Sequence, residues 1–142
     1  MCIRESNWNE EYVDGELFGV PGEKVRLPKM NYIYRTVVRA PRMKEYEVDI
    51  FAYPLKFDAP SWVVECRFRN RKANEKDIEK FGRVVKAVKK EKEVSRVQGW
   101  FISVEGFSRN AVKKARELGI YITTKEGLNE LLRKYGIKTI DV

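Results

Sequence analysis

Histidine is missing from the entire chain. That removes Ser-His-Asp triads, histidine-based metal nucleases and most zinc catalysis, since each needs an imidazole as base or ligand. Cysteine is nearly missing as well. Cys2 and Cys66 are too few for a disulfide scaffold and form no Cys-x-x-Cys pair, so a reduced, cytoplasmic protein is expected. Cys66 falls inside a strand pattern and reads as a small core residue. No apolar run approaches the length that spans a membrane, and the N-terminus carries no apolar signal core. Gly19-Val-Pro-Gly-Glu-Lys24 is too short for a P-loop and reads as a turn, and no glycine-rich dinucleotide fingerprint occurs. Glutamine occurs once, at Gln98.

Charge is abundant. The 142 residues carry a net charge of +8 at pH 7, and Lys, Arg and Glu dominate the polar composition. A basic balance favours an anionic partner, nucleic acid first, because phosphate contacts dominate such binding. The plainer alternative is a heat-adapted, lysine-rich surface whose ion pairs serve stability. The length suits one domain with a hydrophobic core.

Residues 1–30 are punctuated by Gly15, Gly19, Pro21, Gly22 and Pro28 and read as irregular. Alternation predicts strands over 31–40, 45–53 and 61–68. Asn74, with Asp77 three residues on, predicts the start of a long helix that buries Ile78, Phe81, Val84, Val85 and Val88. A doubly apolar strand follows over 97–104. Ser108 and Gly119 bracket a second helix. After a short strand, Thr123 with Glu126 predicts a capping box for a last helix ending at Gly136. The order β-β-β-α-β-α-β-α implies a mixed sheet with helices on both faces, an α/β protein.

The strand pattern sorts the chemistry. In Glu45-Tyr-Glu-Val-Asp49-Ile-Phe-Ala-Tyr53, residues Tyr46, Val48, Ile50 and Ala52 are expected on one face and Asp49 on the other. In Ser61-Trp-Val-Val-Glu65-Cys-Arg67-Phe68, residues Trp62, Val64, Cys66 and Phe68 are expected together, opposite Glu65 and Arg67. If the two strands pair, two carboxylates and a cation meet on one patch. Acids on a mostly buried strand are costly unless they bind something, and hard divalent cations prefer oxygen ligands.

An Asp on one strand followed by Glu-x-basic on the next resembles the PD-(D/E)xK, restriction-endonuclease-like superfamily. Gly99-Trp-Phe-Ile-Ser-Val-Glu-Gly-Phe-Ser-Arg-Asn-Ala-Val-Lys-Lys-Ala-Arg-Glu-Leu-Gly-Ile-Tyr-Ile-Thr123 resembles the strand–helix–strand that closes the core of Mrr-like members. The stretch 13–28 is similar to a lead-in of nuclease-like domains associated with archaeal P-loop ATPases. The resemblance implies a mixed β-sheet core flanked by helices over 31–142, preceded by the lead-in over 1–30. It implies a metal-dependent DNA endonuclease in which Asp49 and Glu65 hold Mg²⁺ or Mn²⁺ and Arg67 stands as third catalytic residue. It also implies DNA as partner, with a homodimer or an ATPase domain as further associates. Two features depart from the pattern. The usual Lys is Arg67, which cannot lose its proton. The usual preceding helix, with its extra acid, is reduced to a short stretch in which Glu10 or Glu11 are candidates. Some members carry the cation on the following helix, which makes Lys72 or Lys80 possible substitutes.

Arg69, Arg71 and Lys72 follow the acid strand, and Lys76, Lys80 and Arg83 recur on one face of the long helix. Together they form a candidate nucleic-acid track. The alternative readings are a structural ion pair around Glu65 and a solvated basic loop. A nuclease fold without catalysis, serving as a nucleic-acid-binding or protein-interaction module, is the alternative function.

Overall fold

The structure, a computed structural model, describes residues 11–27, 30–39, 45–54, 59–68 and 70–136. Its strands are β1 (Glu11–Asp14), β2 (Lys24–Leu27), β3 (Tyr32–Arg39), β4 (Glu45–Tyr53), β5 (Ser61–Arg67), β6 (Val97–Ser103) and β7 (Tyr121–Thr124). Its helices are α1 (Glu75–Glu91), α2 (Arg109–Leu118) and α3 (Lys125–Lys134). Five strands form one mixed sheet in the order β3-β4-β5-β6-β7. The first three run antiparallel, and β5, β6 and β7 run parallel through the crossovers α1 and α2. From β3 onward the element order is the one the periodicity predicts. Among the described residues no helix is long and apolar enough to cross a membrane.

One sheet face packs on α1 and α2. Phe51, Val63 and Phe101 meet Ile78, Phe81, Val84 and Ala111 there. Burying each large apolar side chain contributes roughly 1.5–3 kcal/mol. Gly99 on β6 lets α1 approach, because a Cβ there would come within 2.9 Å of Val85 Cγ2 and 3.2 Å of Phe81 Cε2. The opposite face packs on α3 and on an N-terminal hairpin, where Phe18, Trp62, Trp100 and Leu131 share a second cluster.

That hairpin corrects the reading of an irregular lead-in. Residues 11–27 form β1 and β2, paired antiparallel, around a short 3-10 turn at Gly15–Phe18. Val13, Phe18, Val25 and Leu27 are buried in the second cluster with the main sheet. Strands of four residues hold too few alternations to stand out in the sequence.

The helix signals carry over well, with one displacement. Asn74 Oδ1 accepts the Asp77 N–H at 3.0 Å and Asp77 Oδ2 accepts the Asn74 N–H at 2.8 Å, a reciprocal capping box. Ser108 caps α2, and Gly119 ends it in the left-handed region at φ 69°. The cap of α3 is Thr124 rather than Thr123, since β7 continues one residue further. Thr123 is buried instead. Its hydroxyl donates to the Leu17 carbonyl at 2.6 Å and accepts the Trp100 indole N–H at 2.7 Å, tying the hairpin to the sheet.

Candidate active site

The site begins with an irregularity in β4. Tyr34 on β3 faces Phe51, whereas Thr36 faces Val48, so β4 holds one more residue than β3 between the two pairs. Such a bulge breaks the two-residue alternation and re-aims side chains. The expected grouping of Val48 with Ile50 and Ala52 therefore fails. Val48 is buried with Phe51 against α1, while Ile50 and Ala52 line the other face. The side chain of Tyr46 lies outside the described residues.

Asp49 sits in this bulge. The β4–β5 ladder pairs Ile50 with Val64, and continuing its register by one step sets Asp49 opposite Glu65. Asp49 Oδ2 accepts the Cys66 backbone N–H at 3.0 Å, so the carboxylate reaches across to the neighbouring strand. The two acids are near enough that the Asp49 charge helps raise the Glu65 pKa.

Glu65 and Arg67 share the β5 face that meets α1, as alternation predicts. Burial pushes the Glu65 carboxyl above its ordinary value, and Asp49 adds to the rise; Arg67, and more weakly Lys80, oppose it. Arg67 is only 13% exposed. Its Nη2 donates to Glu65 Oε2 at 2.9 Å. Its Nη1 lies 2.7 Å from Asp77 Oδ1, a charge contact without hydrogen-bond alignment. The guanidinium also stands 5.1 Å from the centre of the Phe101 ring. Arg67 thus links β5 to the first turn of α1. The Ser103 hydroxyl, on the β6 residue that pairs with Arg67, is buried without a hydrogen bond among the described residues.

Asp77 is the residue whose second role the sequence did not disclose. Its capping box accounts for one set of contacts. Its side chain also takes both Arg71 nitrogens, at 2.9 and 3.3 Å. Burial works against its charge, but the Arg71 hydrogen bonds, the Asn74 N–H and Arg67 outweigh it and hold the carboxyl well below the usual carboxylate range. Nothing local in the sequence signals this role, because Arg67 reaches Asp77 only once β5 and α1 are docked.

The predicted basic track divides. Lys72 is exposed, as are Lys76, Lys80 and Arg83 along α1. Lys80 has a field that reaches Glu65. Arg71 is 44% exposed and already engaged by Asp77 and the Lys72 carbonyl. Arg69 and Glu10 lie outside the described residues, as does the Glu11 side chain. Phe68, expected on the core face with Cys66, is instead 56% exposed, because β5 ends at Arg67.

Cys66 is half-buried and lines an apolar cavity of about 290 Å³ with Ile50, Trp62, Val64 and Ile102. Burial, then the Asp49 and Glu65 charges, push its thiol up to about 11. A thiol raised from 9 to about 11 holds about a hundredth of the usual thiolate below pH 9. In a Cys2→Ser variant, alkylation of Cys66 by iodoacetamide at pH 8 is therefore expected to run at least about a hundredfold slower in the folded than in the urea-unfolded chain. Equal rates would show an accessible, ordinary thiol.

The donor set suits a hard divalent cation. Among the described residues each of the two acids has one carboxylate oxygen without a hydrogen bond. No third His, Cys, Asp or Glu among the described residues joins them in a metal-holding group. Two carboxylates, completed by water and substrate phosphate, match the way Mg²⁺ is commonly held. A cation there would also offset the unfavourable charge of Glu65.

The restriction endonuclease family model, that of the Mrr catalytic domain, matches residues 27–132. No curated relative matches the chain at a significant level. Among solved structures, the chain is similar to AF1548, a protein of unknown function, with a TM-score of 0.59 and 26% identity over 77% of this chain and 62% of that one. It is also similar to a repair endonuclease from Pyrococcus abyssi (TM-score 0.45, 20% identity, 63% of this chain and 38% of that one). A third match is EndoMS in complex with double-stranded DNA (TM-score 0.45, 14% identity, 65% of this chain and 36% of that one). The chain thus spans less than two thirds of the length of each. With residues 27–132 matched and the mixed five-stranded sheet in place, the chain belongs to the restriction endonuclease family of the Mrr catalytic type.

Proposed function

We propose that the chain is a metal-dependent DNA endonuclease that hydrolyses phosphodiester bonds at Asp49 and Glu65. The observation that carries this reading is the meeting of two carboxylates across β4 and β5, one of them burdened by burial and by the other's charge. Mg²⁺ or Mn²⁺ held by these acids supplies Lewis-acid chemistry and a more acidic bound water. The chain's own residues do the rest. Arg67 cannot act as base. Its guanidinium neutralises charge beside Glu65 and can take a phosphate oxygen on exchanging one of its carboxylate partners. Lys80, whose charge acts on Glu65, serves as the cation that accompanies the scissile phosphate. Lys72, Lys76, Arg83 and Arg69, with Arg71, form the track along which the DNA backbone lies. A second copy of the chain fits this reading, because one such site cuts one strand. An ATPase domain is the other associate, and the cytoplasm the setting.

One observation favours a second reading. Arg67 is committed to Glu65 and Asp77, and an acid so paired holds metal less well. In that case the chain is a nuclease fold that binds DNA without cutting it.

Incubation of labelled single-stranded, duplex and branched DNA with Mg²⁺ or Mn²⁺ separates the two. Metal-dependent cutting, lost in an Asp49→Ala/Glu65→Ala variant, is the expected result. Salt-sensitive binding without cutting, equal in both proteins, would leave the binding module as the function.

A further inference from the structure

The loop that follows the Glu65 strand carries an exposed aromatic ring, Phe68, and two cations, Arg71 and Lys72. Both of its ends are fixed. The Val104 N–H donates to the Arg67 carbonyl at 3.2 Å. The Ala73 N–H donates to the Gly106 carbonyl at 3.0 Å, and the Ala73 carbonyl accepts the Ser108 N–H at 2.9 Å. Inside the loop, Arg71 Nη1 donates to the Lys72 carbonyl at 3.0 Å while the guanidinium holds Asp77. Phe68 opens this loop directly after Arg67 and leaves 56% of its surface in water.

Single exposed apolar residues are ordinary on protein surfaces. Val112 and Leu118 on α2, and Tyr32 and Val37 on β3, need no special account. Phe68 differs in its setting. It adjoins Arg67, it shares its loop with Arg71 and Lys72, and its loop is tethered at both ends. An aromatic face among phosphate-binding cations is the arrangement that takes a nucleobase by stacking while the backbone is held electrostatically. In a stacked duplex the base faces are already covered, so such a ring acts only where a base is unpaired.

We infer that Phe68 is a base-stacking residue that directs the site toward DNA with an unpaired nucleobase next to the scissile phosphate. This deepens, and rests on, the DNA-cleaving reading of Asp49 and Glu65. Ring contact with the base selects the substrate, and Lys72 holds a flanking phosphate.

The test is fluorescence anisotropy of a labelled single-stranded oligonucleotide and of its duplex, in EDTA, with the wild-type chain, Phe68→Ala and Phe68→Trp. Phe68→Ala is expected to weaken single-strand binding about tenfold and duplex binding less than about twofold, with Phe68→Trp restoring the former. Because the ring is exposed, all three proteins should melt alike. Unchanged single-strand binding in Phe68→Ala, equal weakening on both substrates, or no single-strand binding by the wild type would each overturn the inference. The measurement uses no metal and no cutting. An unchanged Phe68→Ala beside a wild type that cuts DNA sinks the stacking role alone. A weakened Phe68→Ala beside a wild type that never cuts sinks the nuclease alone.

Discussion

Asp77→Ala is expected to destabilise the chain by about 3 kcal/mol, lowering its melting temperature by about 10 °C. The carboxylate closes the α1 capping box and serves two arginines at once. Its removal leaves Arg67, 13% exposed, with a single carboxylate partner. Breaking a largely buried pair from one side costs more than the pair itself contributes, since the remaining charge stays in a poor solvent. The loss also has a pH signature. The Asp77 carboxyl is held below its ordinary value of 3.8, so its contribution is present above about pH 4 and is lost as the pH falls through the folded value. The gap between wild type and Asp77→Ala should therefore narrow on acidification below about pH 4. Urea melts from pH 7 to pH 3 measure it, and a gap that stays constant would remove the ion pairs from the account.

Glu65→Gln is expected to act in opposite directions on stability and on activity. Folding raises the Glu65 pKa, so the favourable form is the protonated one. Its contribution is present below the ordinary value of 4.5 and is lost as the pH rises through the folded value, which makes the neutral-pH carboxylate a burden on the fold. The amide keeps an oxygen for Arg67 and sheds the charge. Stability at pH 7 should rise by about 1 kcal/mol, the common trade between stability and a strained site. Metal-dependent cleavage should fall by about a thousandfold, since a neutral amide replaces a ligand charge that offsets several kcal/mol in the transition state. Thermal melts beside cleavage rates read both. A variant that is less stable and equally active would mean that Glu65 is a structural partner of Arg67.

Much of this arrangement is legible in the sequence. Asn74, Asp77, Ser108 and Gly119 mark their helix ends through local hydrogen bonds and backbone conformation, which a short window contains. Glu65 and Arg67 share a face because β5 is regular through Arg67. What escaped was set by partners distant in the chain. The bulge at Asp49 exists only relative to β3, so alternation alone groups Val48 on the wrong face. Asp77 reads as a cap from its neighbours, and its grip on Arg67 emerges only when α1 docks on β5. Thr123 with Glu126 reads as a capping box in the sequence, and only the Trp100 and Leu17 partners of its hydroxyl shift the cap to Thr124. Phe68 continues the apolar alternation of β5 by one residue, and only the end of the ladder reveals it as a surface ring.

In the proposed site Asp49 and Glu65 together hold a divalent cation. Calorimetric titration of Mn²⁺ into the wild-type chain and into Asp49→Ala/Glu65→Ala, both without DNA, measures this binding apart from cleavage. Saturable binding to the wild type, lost in a double variant that remains folded, is the expected result. Equal binding by the two proteins, or none by either, would mean that the two acids form no cation site.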